Sequence, residues 1–178
     1  MDSPMSNLHF RLMSAMFRIR DLSIDFESIM RDSGVKKGDV VLDYGCGPGS
    51  YSIAASKAVG KRGMVIAADL QPLAVKRVEK TAASRGLKNI KAVKTDCDTG
   101  LESNSVDVVL LFDIYHALGD PEKILEEMRR ILKPAGTMAL ADHHFTDEEI
   151  PSMIEGPGAF VFKDRSGKIF RFKPVSAD

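Results

Sequence analysis

The sequence has no tryptophan, only two cysteines, and aromatic residues at just 7% of its 178 positions. So few rings argue against a surface on which nucleic-acid bases stack. Cys46 and Cys97 cannot build a disulfide framework, and the expected setting is a reduced cytoplasmic compartment. No uninterrupted apolar run approaches 18 residues, so no membrane-spanning helix is expected. No basic segment leads into an apolar stretch and a small-residue cleavage site at the start of the chain. Net charge is lacking too. The 25 Lys and Arg balance 25 Asp and Glu, so no global field draws in nucleic acid or an anionic membrane. Repeats and low-complexity segments are absent. The 44% hydrophobic and 28% charged residues are those of a folded globular chain, and the length suits one domain.

The middle of the chain alternates short apolar runs with helical stretches. Val40–Leu42, Met64–Ala68, Ile90–Val93 and Val106–Phe112 read as strands, the last nearly continuous and suited to burial on both faces. Between them lie an Ala-rich helix from Tyr51 to Val59, stopped by Gly60, and a helix from Pro72 to Arg85, stopped by Gly86. Asp120-Pro121 opens a helix through Ile131, and Lys133–Gly136 turns the chain into a fifth run, Thr137–Ala141. This alternation implies a parallel sheet covered by helices on both sides. The flanks differ. Residues 4–33 read as two helices, the first with Leu8, Leu12, Met16 and Ile19 at helical spacing. Thr146 and Glu149 form a capping-box pair, and two period-two segments around Arg165–Lys168 signal a hairpin. The expected division is one domain over 1–178: helical decoration at 1–36, a core at 37–142, and a helix with a β-hairpin at 143–178.

The most informative segment is Val41–Gly49, VLDYGCGPG. Closely spaced glycines between a strand and a helix let the backbone approach a ligand that faces free helix N–H groups. Their spacing is G-x-G-x-G with Ser50 after it, not the G-x-G-x-x-G of dinucleotide sites. Asp43 before the loop is awkward for pyrophosphate and suits a ligand bearing an ammonium group. Asp69 follows the second strand, where a carboxylate can accept from both ribose hydroxyls. Asp96 ends the third strand, within reach of an adenine amino group, and Asp113 ends the fourth. Ligands of open α/β sheets bind at these strand ends.

With those motifs, and with Asp96-Cys97, Phe112-Asp113 and Leu132–Gly136, residues 37–142 resemble the class I S-adenosylmethionine-dependent methyltransferases, near the quinone-biosynthesis group. The resemblance implies a three-layer α/β/α sandwich with a mostly parallel, Rossmann-like seven-stranded sheet whose last strand is antiparallel. It implies S-adenosyl-L-methionine as cofactor and S-adenosyl-L-homocysteine as product. Gly45, Cys46, Gly47 and Gly49 would form the cofactor loop, with Gly45 and Gly47 under the methionine moiety and Asp43 organising its ammonium group. Asp69 would bind the ribose, Leu70 would lie against the adenine, and Asp96, with Cys97 beside it, would meet the adenine edge. The backbone at Phe112 would face the methionine end.

Methyl transfer is an in-line displacement that depends on positioning and on excluding water, and needs a base only when the acceptor arrives protonated. His116 is the first base candidate, followed by Tyr115, Asp113 and His143. Neighbouring histidines on a strand point to opposite faces, so Asp142-His143-His144 is not expected to hold a metal. Both cysteines fall inside cofactor motifs and read as small buried residues. The expected acceptor is a small or lipophilic molecule, with a non-catalytic binding module as the alternative and a homodimer over the site left open. Met5, Phe10, Met13, Met16 and Phe17 would build a lid, or simply pack on the sheet edge. A membrane-surface helix ranks below both, because Asp21 and Asp25 offset Arg11, Arg18 and Arg20. Between Lys76 and Lys94, seven Lys or Arg stand against the single acid Glu79, read as a solvated face rather than an RNA contact.

Overall fold

The computed structural model describes residues 5–176; the four residues before and the two after, parts of the flanks assigned above to 1–36 and 143–178, lie outside the described residues. The strands are β1 (Val40–Tyr44), β2 (Met64–Asp69), β3 (Ile90–Lys94), β4 (Val106–Phe112), β5 (Leu132–Ala141), β6 (Phe160–Ser166) and β7 (Ile169–Pro174). They form one sheet in the order β3-β2-β1-β4-β5-β7-β6. The first five pair in parallel, and β7 joins β5 and β6 antiparallel. The order reverses beside β1, so the crevice outside the ends of β1 and β4 is where a ligand is expected.

The helices are α1 (Asn7–Arg20), α2 (Phe26–Asp32), α3 (Ser50–Val59), α4 (Pro72–Ser84), α5 (Pro121–Ile131) and α6 (Glu149–Glu155). Period-two alternation divides the core. Leu42, Ile66, Val109 and Leu111 face Leu125, Met128 and Ile131 of α5 and Ile150 and Ile154 of α6. Val41, Val65, Val108 and Leu110 face Met30 of α2 and Ala55 and Val59 of α3. Both α4 and α5 begin with a proline in the first turn, where no N–H is required. Asp120 caps α5 by accepting from the Lys123 N–H at 3.1 Å.

Three expectations need correction. Lys133–Gly136 does not precede the fifth strand but belongs to it. Val106 pairs with Leu132 and Val108 with Thr137, so the four residues between bulge out, which accommodates Pro134. The Glu149 carboxylate accepts from the Thr146 N–H at 2.8 Å, yet α6 begins only at Glu149, which leaves Pro151 in its first turn. On α1 the lid candidate Met16 neither covers the cavity nor packs on the sheet. Phe10 and Ser14 are buried, while Leu8, Leu12, Met16 and Ile19 are exposed.

Candidate active site

The glycine loop leaves β1 with backbone angles that side chains resist: φ is +75° at Gly45, +51° at Gly47 and +91° at Gly49. A Cβ on Gly45 would stand 2.5 Å from Ile114 Cγ1, and one on Gly49 would stand 2.6 Å from Val78 Cγ2. Nothing lies within 4 Å of the corresponding point at Gly47. The Gly45 and Cys46 N–H groups donate to the Ala68 carbonyl at 2.8 and 3.0 Å, tying the loop to the end of β2. Asp69 then holds it from the side, accepting from the Gly47 N–H and the Gln71 N–H, each at 2.7 Å. Burial raises the Asp69 pKa, against the pull of those two hydrogen bonds.

Around this loop lies a cavity of about 210 Å³. The loop, Asp69, Leu70 and Asp96 form one wall, and Phe112, Asp113, Ile114 and His116 form another. Met13, Phe17 and Arg20 of α1 close the top, with Met5 just before the helix. The Gln71 side-chain amide donates to the Met5 carbonyl at 2.6 Å, which fixes the start of this cover. Arg20 is the only Lys or Arg lining the cavity among the described residues. Its guanidinium sits 4.3 Å from the Phe17 ring centroid and reaches Asp21 at 3.1 Å and Asp113 at 3.5 Å.

The ends of β4 and β5 contribute a cluster of imidazoles and carboxylates. The Asp142 side chain is fully buried, and His116 Nδ1 lies 2.9 Å from its Oδ2. His144 Nδ1 lies 3.0 Å from Oδ1, and the His116 and His144 backbone N–H groups each donate to the same carboxylate at 3.1 Å. Burial alone would raise the Asp142 pKa, but these hydrogen bonds outweigh it and hold the group below its ordinary value. Asp142 therefore stays a carboxylate. His143 is exposed and bonds to Asp113 at 2.8 Å. Asp113 adopts φ +51°, a left-handed conformation in a residue other than glycine at the mouth of the cavity.

Most of the expected site residues meet here: Gly45, Cys46, Gly47, Asp69, Leu70, Asp96, Phe112, Asp113 and His116 share the one cavity. Besides the exposed His143, four others do not line it. Tyr115 turns into the core, with its ring edge-on to Phe145 and its hydroxyl 3.5 Å from the Met153 carbonyl, so it is no candidate base. Cys97 packs beside the Lys123 carbonyl. Gly49 lies buried at the start of α3. Asp43 sits beneath the loop at 2% exposure, hydrogen-bonded by the Ser52 hydroxyl.

Burial pushes the Asp43 pKa up to about 7, even though the Ser52 hydrogen bond opposes it. The folded chain therefore keeps a proton on Asp43 that the unfolded chain loses above about pH 4. The stability contribution of this group declines as pH rises towards 7 and is flat above that. Asp43→Asn removes the ionisation. Its stability relative to wild type should grow by up to about 1.4 kcal/mol per pH unit between pH 5 and 7. Urea denaturation across that range checks this, and a constant gap between the two proteins would contradict it.

Sequence reasoning missed Arg20 and the carboxylate role of Asp142. It also set aside a metal at these histidines on an argument that applies only within strands. Residues 142–144 lie in the turn beyond β5, where side chains no longer alternate. Ligand atoms of His116, Asp142 and His144 fall within 4.8 Å of one another, as do those of Asp113, Asp142 and His143.

A crevice at the strand ends, a glycine loop and an acid after β2 define a nucleoside-binding α/β enzyme. The chain belongs to the methyltransferase domain family, whose model matches residues 35–166. Its fold is that of the class I S-adenosylmethionine-dependent methyltransferases. It is 38% identical over 109 residues to a demethylmenaquinone methyltransferase of Staphylococcus aureus, a match covering 61% of this chain and 44% of that protein. The chain thus spans less than half the length of that curated relative. A methyltransferase structure from Aquifex aeolicus superposes with a TM-score of 0.80 at 26% identity, covering 96% of this chain and 98% of that one. A Methanococcus maripaludis protein assigned to the same enzymes gives 0.79 at 16% identity, over 100% and 98%, and speaks to the fold alone.

Proposed function

We propose that the chain methylates a small lipophilic acceptor, with S-adenosylmethionine seated on the glycine loop and His116 as the base. The carrying observation is that the Asp69-stapled loop and the His116–Asp142 pair open into one cavity covered by an apolar helix. The residues suit a nucleoside sulfonium. The bare backbone at Gly47 leaves open space, Asp69 and Asp96 stand at the cavity wall, and Arg20 offers the one guanidinium for an amino-acid carboxylate. When bound, S-adenosylmethionine supplies an activated methyl group. Asp43, buried under the loop and hydrogen-bonded by Ser52 of α3, supports the loop from beneath and does not meet the ammonium end directly. Met13 and Phe17 exclude water and present an apolar wall to the acceptor. His116 Nδ1 faces Asp142, which leaves Nε2 to take a proton from a hydroxyl, thiol or ammonium. At about 210 Å³ the cavity is below the 300–1,000 Å³ usual for small-molecule sites, so α1 must shift to admit both reactants.

The reading assigns no metal to the site, because Asp142 already receives four N–H groups. The test is a metabolite-extract screen with methyl-labelled S-adenosylmethionine, run with and without EDTA. The expected result is label on an apolar product in both arms. Label lost to EDTA and restored by a divalent cation would turn the histidine cluster into a metal site. Binding without any labelled product would favour a non-catalytic module.

A further inference from the structure

The outer face of α1 has no partner among the described residues. Leu8, Leu12, Met16 and Ile19 are 59–73% exposed, and Leu22, just past the helix, is 88% exposed. At this spacing they form one continuous stripe, opposite the buried Phe10 and Ser14 and turned away from the cavity-lining Met13 and Phe17. The helix is apolar on both sides, which burial against its own sheet does not require.

A second observation adjoins the stripe. Leu22 also edges an open basin of about 1260 Å³ between the end of α1 and helices α2, α3 and α4. Eight Lys or Arg line it against only Asp21 and Glu27. Arg171 pairs with Asp164, and Lys37 stands beside Arg18, Arg31, Lys36, Lys57, Arg77 and Arg85. None of these last seven cations has a carboxylate within 4 Å among the described residues. Arg18 and Arg77 lie close enough to depress the Arg77 pKa, although burial is the larger cause. The acids expected to offset the α1 arginines are engaged elsewhere. Asp21 turns inward to Arg20 and the Ser50 hydroxyl, and Asp25 caps α2 through the Ser28 N–H at 3.0 Å.

We propose that the outer face of α1 and the adjoining basic basin dock the protein on an anionic lipid bilayer, with α1 lying in the interface plane. An apolar stripe beside unpaired cations is the chemistry of an interfacial helix. The side chains enter the acyl boundary and the cations meet lipid phosphates. The alternatives satisfy half of it each. Nucleic acid would use the cations and leave five large apolar side chains in water. A second copy packed face to face would cover the stripe but bring one Arg18 basin towards another. Docking also gives the two-sided helix a purpose, since the element touching lipid is the element covering the cavity. That link rests on the proposed function; the docking itself does not.

The test is co-sedimentation of the full chain with phosphatidylglycerol–phosphatidylcholine vesicles and with pure phosphatidylcholine vesicles, at low and physiological salt. Expected is retention on the anionic vesicles, several-fold weaker on the neutral ones and weakened by salt. Leu12→Gln with Ile19→Gln, both at exposed positions, should cut partitioning by about tenfold or more. S-adenosylhomocysteine affinity should be unchanged in that variant, which shows that the fold and cavity persist. No retention of the wild type at low salt overturns the proposal, as does retention unaffected by the double substitution. So does a wild-type dimer that the double variant converts to monomer, or retention on single-stranded RNA with none on vesicles. A failed methylation screen beside positive sedimentation would remove the proposed function and leave docking intact.

Discussion

Turnover by His116→Ala should fall about 10²- to 10⁴-fold, with S-adenosylhomocysteine affinity within about twofold of wild type. The split follows from position. His116 stands on the β4–β5 side of the cavity, apart from the glycine loop and Asp69, so losing its ring should slow proton removal without loosening the cofactor. Asp142→Asn should approach the same loss. The buried carboxylate accepts from His116 Nδ1 and so keeps the proton off Nε2, whereas an amide NH₂ there would invert that arrangement. Because Asp142 remains ionised, its substitution changes the imidazole's tautomer rather than adding a titration. Equal turnover in wild type and His116→Ala would remove the imidazole from the chemistry.

Gly45→Ala should destabilise the protein by about 2–5 kcal/mol, well beyond Gly47→Ala. Both sites adopt positive φ, which costs a side chain roughly 1–2 kcal/mol. Only Gly45 adds a clash, its Cβ 2.5 Å from Ile114 on the segment leading to His116, and overpacking of that kind costs about 1–3 kcal/mol more. Ile114 also lines the cavity, so any relief of the clash moves both walls. Thermal denaturation of the two variants side by side reads the difference. Equal midpoints would mean that the loop does not rest on Ile114 as described.

The sheet was legible because its signals are local. Val106–Phe112 is apolar but for Asp107, and proline or glycine marks the helix ends around Pro72, Gly86 and Pro121, so these elements fall within a residue or so of their expected bounds. The cavity wall was legible because strand ends line up once the sheet is parallel. Orientation was not. On α1, Phe10, Met13 and Phe17 mark one apolar face and Leu8, Leu12 and Ile19 mark another, and periodicity cannot say which one meets the sheet. Tyr115 and His116 sit in a short 3-10 turn, where adjacent side chains diverge; one enters the core and the other the cavity. Asp43 points under the loop rather than into the cavity and hydrogen-bonds to Ser52 of α3, a partner nine residues on that no local pattern announces. The His116–Asp142 pair spans two strands and became visible only once β4 and β5 were paired.

The loop, Asp69 and the cover from α1 stand or fall together on cofactor binding. Isothermal titration of the full chain with S-adenosylhomocysteine, against NAD as control, tests this most directly. The account predicts saturable binding of S-adenosylhomocysteine at one site per chain, no heat from NAD, and affinity weakened by about 1–3 kcal/mol in Asp69→Ala. Binding of NAD with none of S-adenosylhomocysteine, or an Asp69→Ala titration matching wild type, would contradict it.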